Sequence, residues 1–311
     1  MQWFDKKIFF QICALPIFVL DLAVYFFQAT WLPKLFPKEL YSVAVGEATS
    51  HHGKPRRSAK NPDAFITTYG GHSHTIYDMT RVAVTSFGER TATISRKFVE
   101  MKKLKATDRF PSKVFDDTEL KKITYNEFGE QIAYFGAGLR SVGLEPIPAL
   151  DGSMEAFDKA KGPFIIVFFE DTCSQWTVGL QGAFTQSITV ATCYATLGED
   201  AVISAVNETG ATVLFLNWKN SLKFANLATK MPSLKTIIAS THEMPDGEKT
   251  PVAPSGSKVK ILSSDELLEL GKENAQKFPP VPPKVSIITR CSHSFGITDL
   301  PNTLFCVLSV Y

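Results

Sequence analysis

The chain has 311 residues and a mass of 34.4 kDa, with 33 Lys and Arg against 31 Asp and Glu, a net charge of +2. So even a balance excludes nucleic-acid binding by bulk charge, and no nucleic-acid partner is expected. A hydrophobic content of 44% against 21% charged residues excludes a disordered chain. The charge is unevenly spread. Residues 1–110 hold 16 basic and 9 acidic side chains (+7) and residues 111–311 hold 17 and 22 (−5), which sum to +2. Positive charge near an apolar segment favours an anionic membrane surface, set against the plain reading of a solvated face.

Residues 8–32 contain 20 apolar residues out of 25, broken by Gln11, Pro16, Asp21, Gln28 and Thr30. At about 1.5 Å per residue such a helix crosses a hydrocarbon core of about 30 Å. Lys6, Lys7, Lys34 and Lys38 flank it, and Trp3, Tyr25 and Trp31 suit the interfaces. Asp21 is costly in lipid, which leaves a full span and a monotopic or re-entrant anchor both open. The run exceeds a usual signal-peptide core, so residues 1–33 read as a retained membrane anchor. Residues 34–62, with His51, His52, Gly53, Lys54, Pro55, Arg56 and Arg57, lack apolar periodicity and read as a linker.

Beyond it, apolar residues Tyr125, Phe128, Ile132, Phe135, Leu139 and Val142 recur at steps of three and four, predicting a helix over 124–142. Thr124 and Glu127 form a capping-box pattern and Gly143 supplies a stop. Strands are expected at 164–169, 188–194, 212–216, 234–239 and 258–262, and helices at 172–187, 198–208, 220–230 and from a Ser264 cap onward. This alternation predicts an α/β protein with a mostly parallel sheet and covering helices. Residues 241–257 read as an exposed loop, and the prolines of 278–283 as an extended connector rather than a P-x-x-P partner motif.

Self-contained chemical motifs are absent. The five cysteines (Cys13, Cys173, Cys193, Cys291, Cys306) contain no C-x-x-C pair, and their scatter suits a reducing compartment. Cys291 with His293, and His51, His52, His72 and His74, lack the four-ligand spacing of a zinc site. No Walker A, H-E-x-x-H or G-x-S-x-G sequence occurs. Gly136, Gly138 and Gly143 have the wrong spacing for a dinucleotide fingerprint and read as close helix packing. Glu170 and Asp171 end an apolar strand, where α/β proteins place functional groups, although Asp171 or Thr172 as a helix N-cap is the plainer reading.

A resemblance runs through residues 63–288. His74 to Asp78 followed by Phe87-Gly88-Glu89-Arg90 resembles the opening segment of the long-chain acyl-CoA synthetases, and Thr124-Tyr125 with Glu127 and Gly138-Leu139 with Gly143-Leu144 resemble a helix of adenylate-forming enzymes. Glu170-Asp171-Thr172 with Trp176, Tyr194-Ala195-Thr196-Leu197-Gly198, and Asn207-Glu208-Thr209 are similar to stretches of the long-chain acyl-CoA synthetases, in order and at their spacing. The resemblance implies a partial AMP-binding domain at 63–288, and an ATP-dependent ligase that adenylates a long-chain fatty acid and passes the acyl group to CoA. It implies ATP, magnesium and CoA as cofactors. The apolar run itself makes residues 8–32 the expected membrane contact, and the expected location is the endoplasmic reticulum or another endomembrane with the soluble part cytosolic. Trp176 and the Tyr194 region read as scaffold beside the acyl path.

The family's phosphate loop, rich in Gly, Ser and Thr, follows directly on a strand matched here at 285–289. Residues 290–301 read instead Arg-Cys-Ser-His-Ser-Phe-Gly-Ile-Thr-Asp-Leu-Pro. Residues 289–311 are therefore an atypical tail, and no catalytic, cofactor-binding or metal-binding residue carries over. The expectation is a ligase-family chain inactive as written, with an exposed sheet edge. The alternative is a non-catalytic, membrane-anchored interaction protein of the same ancestry.

Overall fold

The computed structural model describes residues 41–64, 75–105, 111–148, 161–194 and 198–283, isolated residues between them, two helical snatches at 19–20 and 23–26, and the backbone of two strands near the C-terminus. The chain divides into two compact units, Met1–Thr67 and Thr68–Tyr311. Most of the expected anchor lies outside the described residues. Among the described residues no helix is long and apolar enough to cross a membrane.

In the first unit the expected linker holds a small hairpin. Strand β1 (Ser42–Ala44) pairs antiparallel with β2 (Arg56–Ser58). Arg56 Nε donates to Ser42 Oγ at 2.9 Å, a side-chain tie that polar composition conceals. His51 and His52 are exposed in the turn between them.

The second unit opens with helix α1 (Ile76–Phe87), capped by Thr75 and Asp78 in a reciprocal box. A long antiparallel hairpin follows, β3 (Thr91–Lys102) with β4 (Ser112–Thr124). Thr124 and Glu127 then form the expected capping box of α2 (Tyr125–Ser141), and Gly143 takes φ +94° to turn the chain away.

The expected alternation holds from there: β5 (Ile165–Phe169), α3 (Ser174–Thr185), β6 (Thr189–Cys193), α4 (Glu199–Thr209), β7 (Val213–Asn217), α5 (Trp218–Asn226), β8 (Thr236–Ser240), β9 (Lys260–Ser263) and α6 (Ser264–Asn274). Two caps differ from expectation. Cys173, not Asp171 or Thr172, caps α3, its Sγ accepting from the Trp176 amide at 3.4 Å. Ser263, one residue early, caps α6 in a box with Glu266. In each case the residue that keeps extended backbone before the first turn takes the role.

Strands β6, β5, β7, β8 and β9 lie side by side in that order, all parallel. Two-residue periodicity splits the core between their faces. Ile166, Phe168, Val190, Val213, Phe215 and Ile238 face α2, α3 and α6. Ile165, Val167, Leu214, Leu216 and Ile237 face α4 and α5. Burial on both faces is why β5 reads as an unbroken apolar run and β7 and β8 as nearly unbroken ones. Strand β6 is not an edge: β11 (Phe305–Val310) pairs with it antiparallel, and β10 (Ile287–Cys291) pairs with β11, so β10 and β9 are the sheet's outer strands.

The glycines of α2 serve packing, as their spacing suggests. A Cβ on Gly136 would lie 2.6 Å from the Gly182 carbonyl of α3, and one on Gly138 would strike the Leu267 carbonyl of α6. The proline connector is pinned rather than presented: the Val281 amide donates to the Thr185 carbonyl at 2.8 Å, and Ser187 Oγ donates to the Val281 carbonyl at 2.8 Å.

Candidate functional site

In a doubly wound sheet, ligand sites form beyond the carboxyl ends of the strands, where the order of connection reverses. Here β5 leads to β6 on one side, while β7, β8 and β9 build outward on the other, so the reversal falls between β5 and β7. Glu170 ends β5 and Asn217 ends β7. Asn217 Nδ2 donates to Glu170 Oε1 at 3.4 Å and to Glu243 Oε2 at 3.3 Å. Glu243 follows β8, and its backbone carbonyl accepts from Trp218 Nε1 at 3.0 Å. Lys113 of the hairpin reaches in and pairs with both Asp171 and Glu243.

Glu170 is 9% exposed, and its Oε2 has no hydrogen-bond partner among the described residues. Burial pushes its carboxyl up to about 7, against the opposing pull of donors on Asp171, Ser240 and Asn217. Lys113 is raised above its ordinary value: burial opposes its charge, but the pairs with Asp171 and Glu243 outweigh it. His242 is lowered from its ordinary value, mainly by burial, against the raising pull of Glu243.

Gln175, in the first turn of α3, ties this rim together. Its Oε1 accepts from the Thr241 amide at 2.9 Å, Ser240 Oγ at 3.0 Å and Ser264 Oγ at 3.1 Å, while its Nε2 donates to Thr241 Oγ1 at 2.7 Å. Beside it a cleft of about 450 Å³ opens between hairpin and sheet, lined in part by Arg96, Lys97, Lys121, Gln175, His242 and Asp265.

The donor set bears on the implied cofactors. Glu170, Asp171 and Glu243 meet at the switch point with Lys113 as their cation. That chemistry does not fit a triphosphate, which needs cations and amide donors. Among the described residues no three His, Cys, Asp or Glu side chains are grouped to hold a metal ion. Burial pushes the thiols of Cys173 and Cys193 up to about 11 and about 12, so neither is a thiolate nucleophile at neutral pH.

The Glu170–Asp171 pair flagged by its place after a strand thus lies in the cluster. Lys113, Asn217, Gln175 and Glu243 were not foreseen, because the strand order that assembles them is not a sequence feature. Trp176 is half-buried, edge-on to Phe168 at 6.1 Å, a scaffold position. Tyr194 is 62% exposed just beyond β6. His72, His74, His293 and the Cys291 side chain lie outside the described residues.

Known proteins are similar to this chain in sequence. Long chain acyl-CoA synthetase 8 of Arabidopsis thaliana is 28% identical over 207 residues, 67% of this chain and 26% of that protein. Long-chain-fatty-acid–CoA ligase 2 of Schizosaccharomyces pombe is 26% identical over 256 residues, 79% of this chain and 34% of its own length. Ligase 4 of Saccharomyces cerevisiae is 26% identical over 264 residues, 76% of this chain and 36% of its own. No family model matches the chain. Among solved structures, the A domain of a carboxylic acid reductase from Segniliparus rugosus, in complex with AMP and a co-purified carboxylic acid, is 17% identical. It covers 69% of this chain and 32% of its own, with a TM-score of 0.48.

These relatives support reading the chain as an N-terminal, adenylate-forming portion. The proteins it is similar to are long-chain acyl-CoA synthetases. It spans 26% to 36% of the length of the three relatives named.

Proposed function

We propose that these residues supply the front portion of a long-chain fatty acid–CoA ligase, which adenylates a fatty carboxylate with ATP and then transfers the acyl group to CoA. The observation that carries this reading is the match to acyl-CoA synthetase 8 over 207 residues, 67% of this chain. Within the ligase, the segment acts as scaffold. Its two-sided core holds the strand ends in place, while the nucleotide, its magnesium and CoA are handled by residues beyond this set.

Two features support assigning scaffold rather than catalysis to this chain. Residues 290–301 lack the Gly, Ser and Thr pattern of the phosphate loop, and the switch-point cluster is rich in carboxylates. The apolar run at 8–32 supports membrane attachment, in keeping with a substrate that partitions into lipid. Placement on the endoplasmic reticulum or a related endomembrane, with residues 63–288 in the cytosol, belongs to the same proposal.

Fatty-acid-dependent ATP–pyrophosphate exchange tests it. The 311-residue chain is expected to give none, and the product of the native transcript, sequenced across the codons for 283–311, is expected to carry the loop and give exchange. Exchange by the 311 residues themselves overturns the scaffold assignment. A native transcript that keeps this tail and stop, with an inactive product, overturns the ligase reading in favour of a non-catalytic membrane-anchored protein.

A further inference from the structure

We propose that the cleft between α2, α3 and α6, bordered by β4, binds a small zwitterion with an apolar side chain, the chemistry of a free α-amino acid. Its volume is about 320 Å³, at the lower end of ligand pockets, which run from about 300 to 1,000 Å³. Stripes within 131–135, 174–178 and 265–272 meet there, their residues three or four apart on one helix face. The floor is apolar and fixed. Phe135 is 1% exposed and edge-on to Phe215 at 6.1 Å, and Val178 is buried in the same core.

The rim carries charge of both signs. Lys121 of β4 and Lys272 of α6 supply two ammonium groups from separate elements, and Asp265 and Glu269 of α6 supply two carboxylates. Asp265 already accepts from Thr241 Oγ1 at 3.0 Å. Glu269 and Lys272 stand at a spacing that commonly pairs on a helix surface. Among the described residues, however, neither they nor Lys121 form an ion pair, and the hydroxyl of Tyr134 on the same wall has no hydrogen-bond partner.

A bare anion would satisfy the lysines and face the repulsion of Glu269, and a bare cation would meet the reverse. A ligand that holds both charges close together and ends in an apolar group matches rim and floor at once. The walls are braced before it arrives. Gln175 Oε1 accepts from Ser264 Oγ at 3.1 Å, which ties the first turn of α3 to that of α6. Gly138 and Gly271 hold α2 and α6 backbone to backbone. Binding therefore demands little ordering of the main chain.

Calorimetric titration of the full chain with L-leucine, with 4-methylpentanoate, which lacks the ammonium, and with 3-methylbutylamine, which lacks the carboxylate, tests the assignment. Leucine is expected to bind, and each analogue to bind at least about tenfold more weakly, the worth of one charge-assisted hydrogen bond. Glu269→Gln and Lys272→Met, both at exposed positions, are expected to weaken leucine by about tenfold with unchanged circular dichroism and melting. They should differ on 4-methylpentanoate, which Lys272→Met weakens and Glu269→Gln does not. No heat with leucine at about 10 mM, analogues that bind as tightly as leucine, or variants that leave its affinity unchanged overturn the proposal.

Discussion

Gly271 of α6 rests against the Tyr134 carbonyl of α2. A Cβ on Gly271 would fall inside contact distance of that oxygen and 2.7 Å from the Gly138 amide nitrogen. Gly138 faces the Leu267 carbonyl in the same way, so the two helices meet backbone to backbone. Every atom that a methyl group would meet first is main chain, which cannot swing aside as a side-chain end can. Gly271→Ala is therefore expected to lower unfolding free energy by about 3 kcal/mol. Gly53→Ala, where a Cβ meets nothing within 4 Å, is expected to be near neutral. Urea denaturation of the two variants checks the contrast.

Gln175 makes a different kind of junction, with one oxygen accepting from Ser240, Thr241 and Ser264. Gln175→Leu keeps the volume and removes the acceptor from Ser240 Oγ, Ser264 Oγ and the Thr241 amide, which keeps only its longer bond to Ser264 Oγ at 3.3 Å. Unsatisfied buried donors cost about 1–3 kcal/mol each, less where a hydroxyl can turn to another acceptor. The expected loss is about 3 kcal/mol, and a loss below about 1 kcal/mol would show that water replaces the amide.

Lys113 of the hairpin reaches the switch-point carboxylates, pairing with Asp171 and with the Glu243 side chain, itself 7% exposed. Lys113→Met removes the cation and strands a largely buried carboxylate. Breaking a fully buried pair costs about 3–5 kcal/mol, but Lys113 is 32% exposed, so about 2 kcal/mol is expected. The loss should localise. Amide exchange is expected to quicken along β3 and β4 while β7 and β8 stay protected, and uniform quickening would contradict a hairpin-specific role.

The parts of this architecture that sequence made legible share a physical cause. Residues 164–169 are buried on both faces of a sheet and apolar without interruption, and 212–216 and 234–239 are apolar apart from Thr212, Lys235 and Thr236 near their starts, so all three mark themselves as strands. The β3–β4 hairpin left no such mark. Arg96, Lys97, Glu100 and Lys102 alternate with little apolar content because most of the ribbon faces solvent, and its pairing joins residues as far apart as Thr91 and Thr124. Helix α1 was readable in principle from its Thr75–Asp78 box, a local signal that its surroundings obscured. Glu170 could be suspected from its place after an apolar run. Its partners Asn217, Glu243 and Lys113 could not, because they converge through strand order and a hairpin fold-back, neither of which is local.

The Glu170 carboxyl gives the fold a pH dependence of defined sign. Unfolded it ionises near 4.5, and in the folded chain burial raises it to about 7. Between those values the folded state holds a proton that the unfolded state releases. The resulting stabilisation is full below about pH 4.5 and is lost as pH climbs through about 7, by roughly 3 kcal/mol at most. Above that, an ionised Glu170 with no partner on Oε2 sits beside Glu243, which Asn217 links to it. Glu170→Gln mimics the protonated form at every pH, so the stability of the variant relative to the native chain is expected to rise between about pH 5 and about pH 8. Urea unfolding at those two values measures the difference. A difference that does not change with pH would mean that Glu170 ionises as an ordinary solvated carboxylate, and that the switch point between β5 and β7 is open to water.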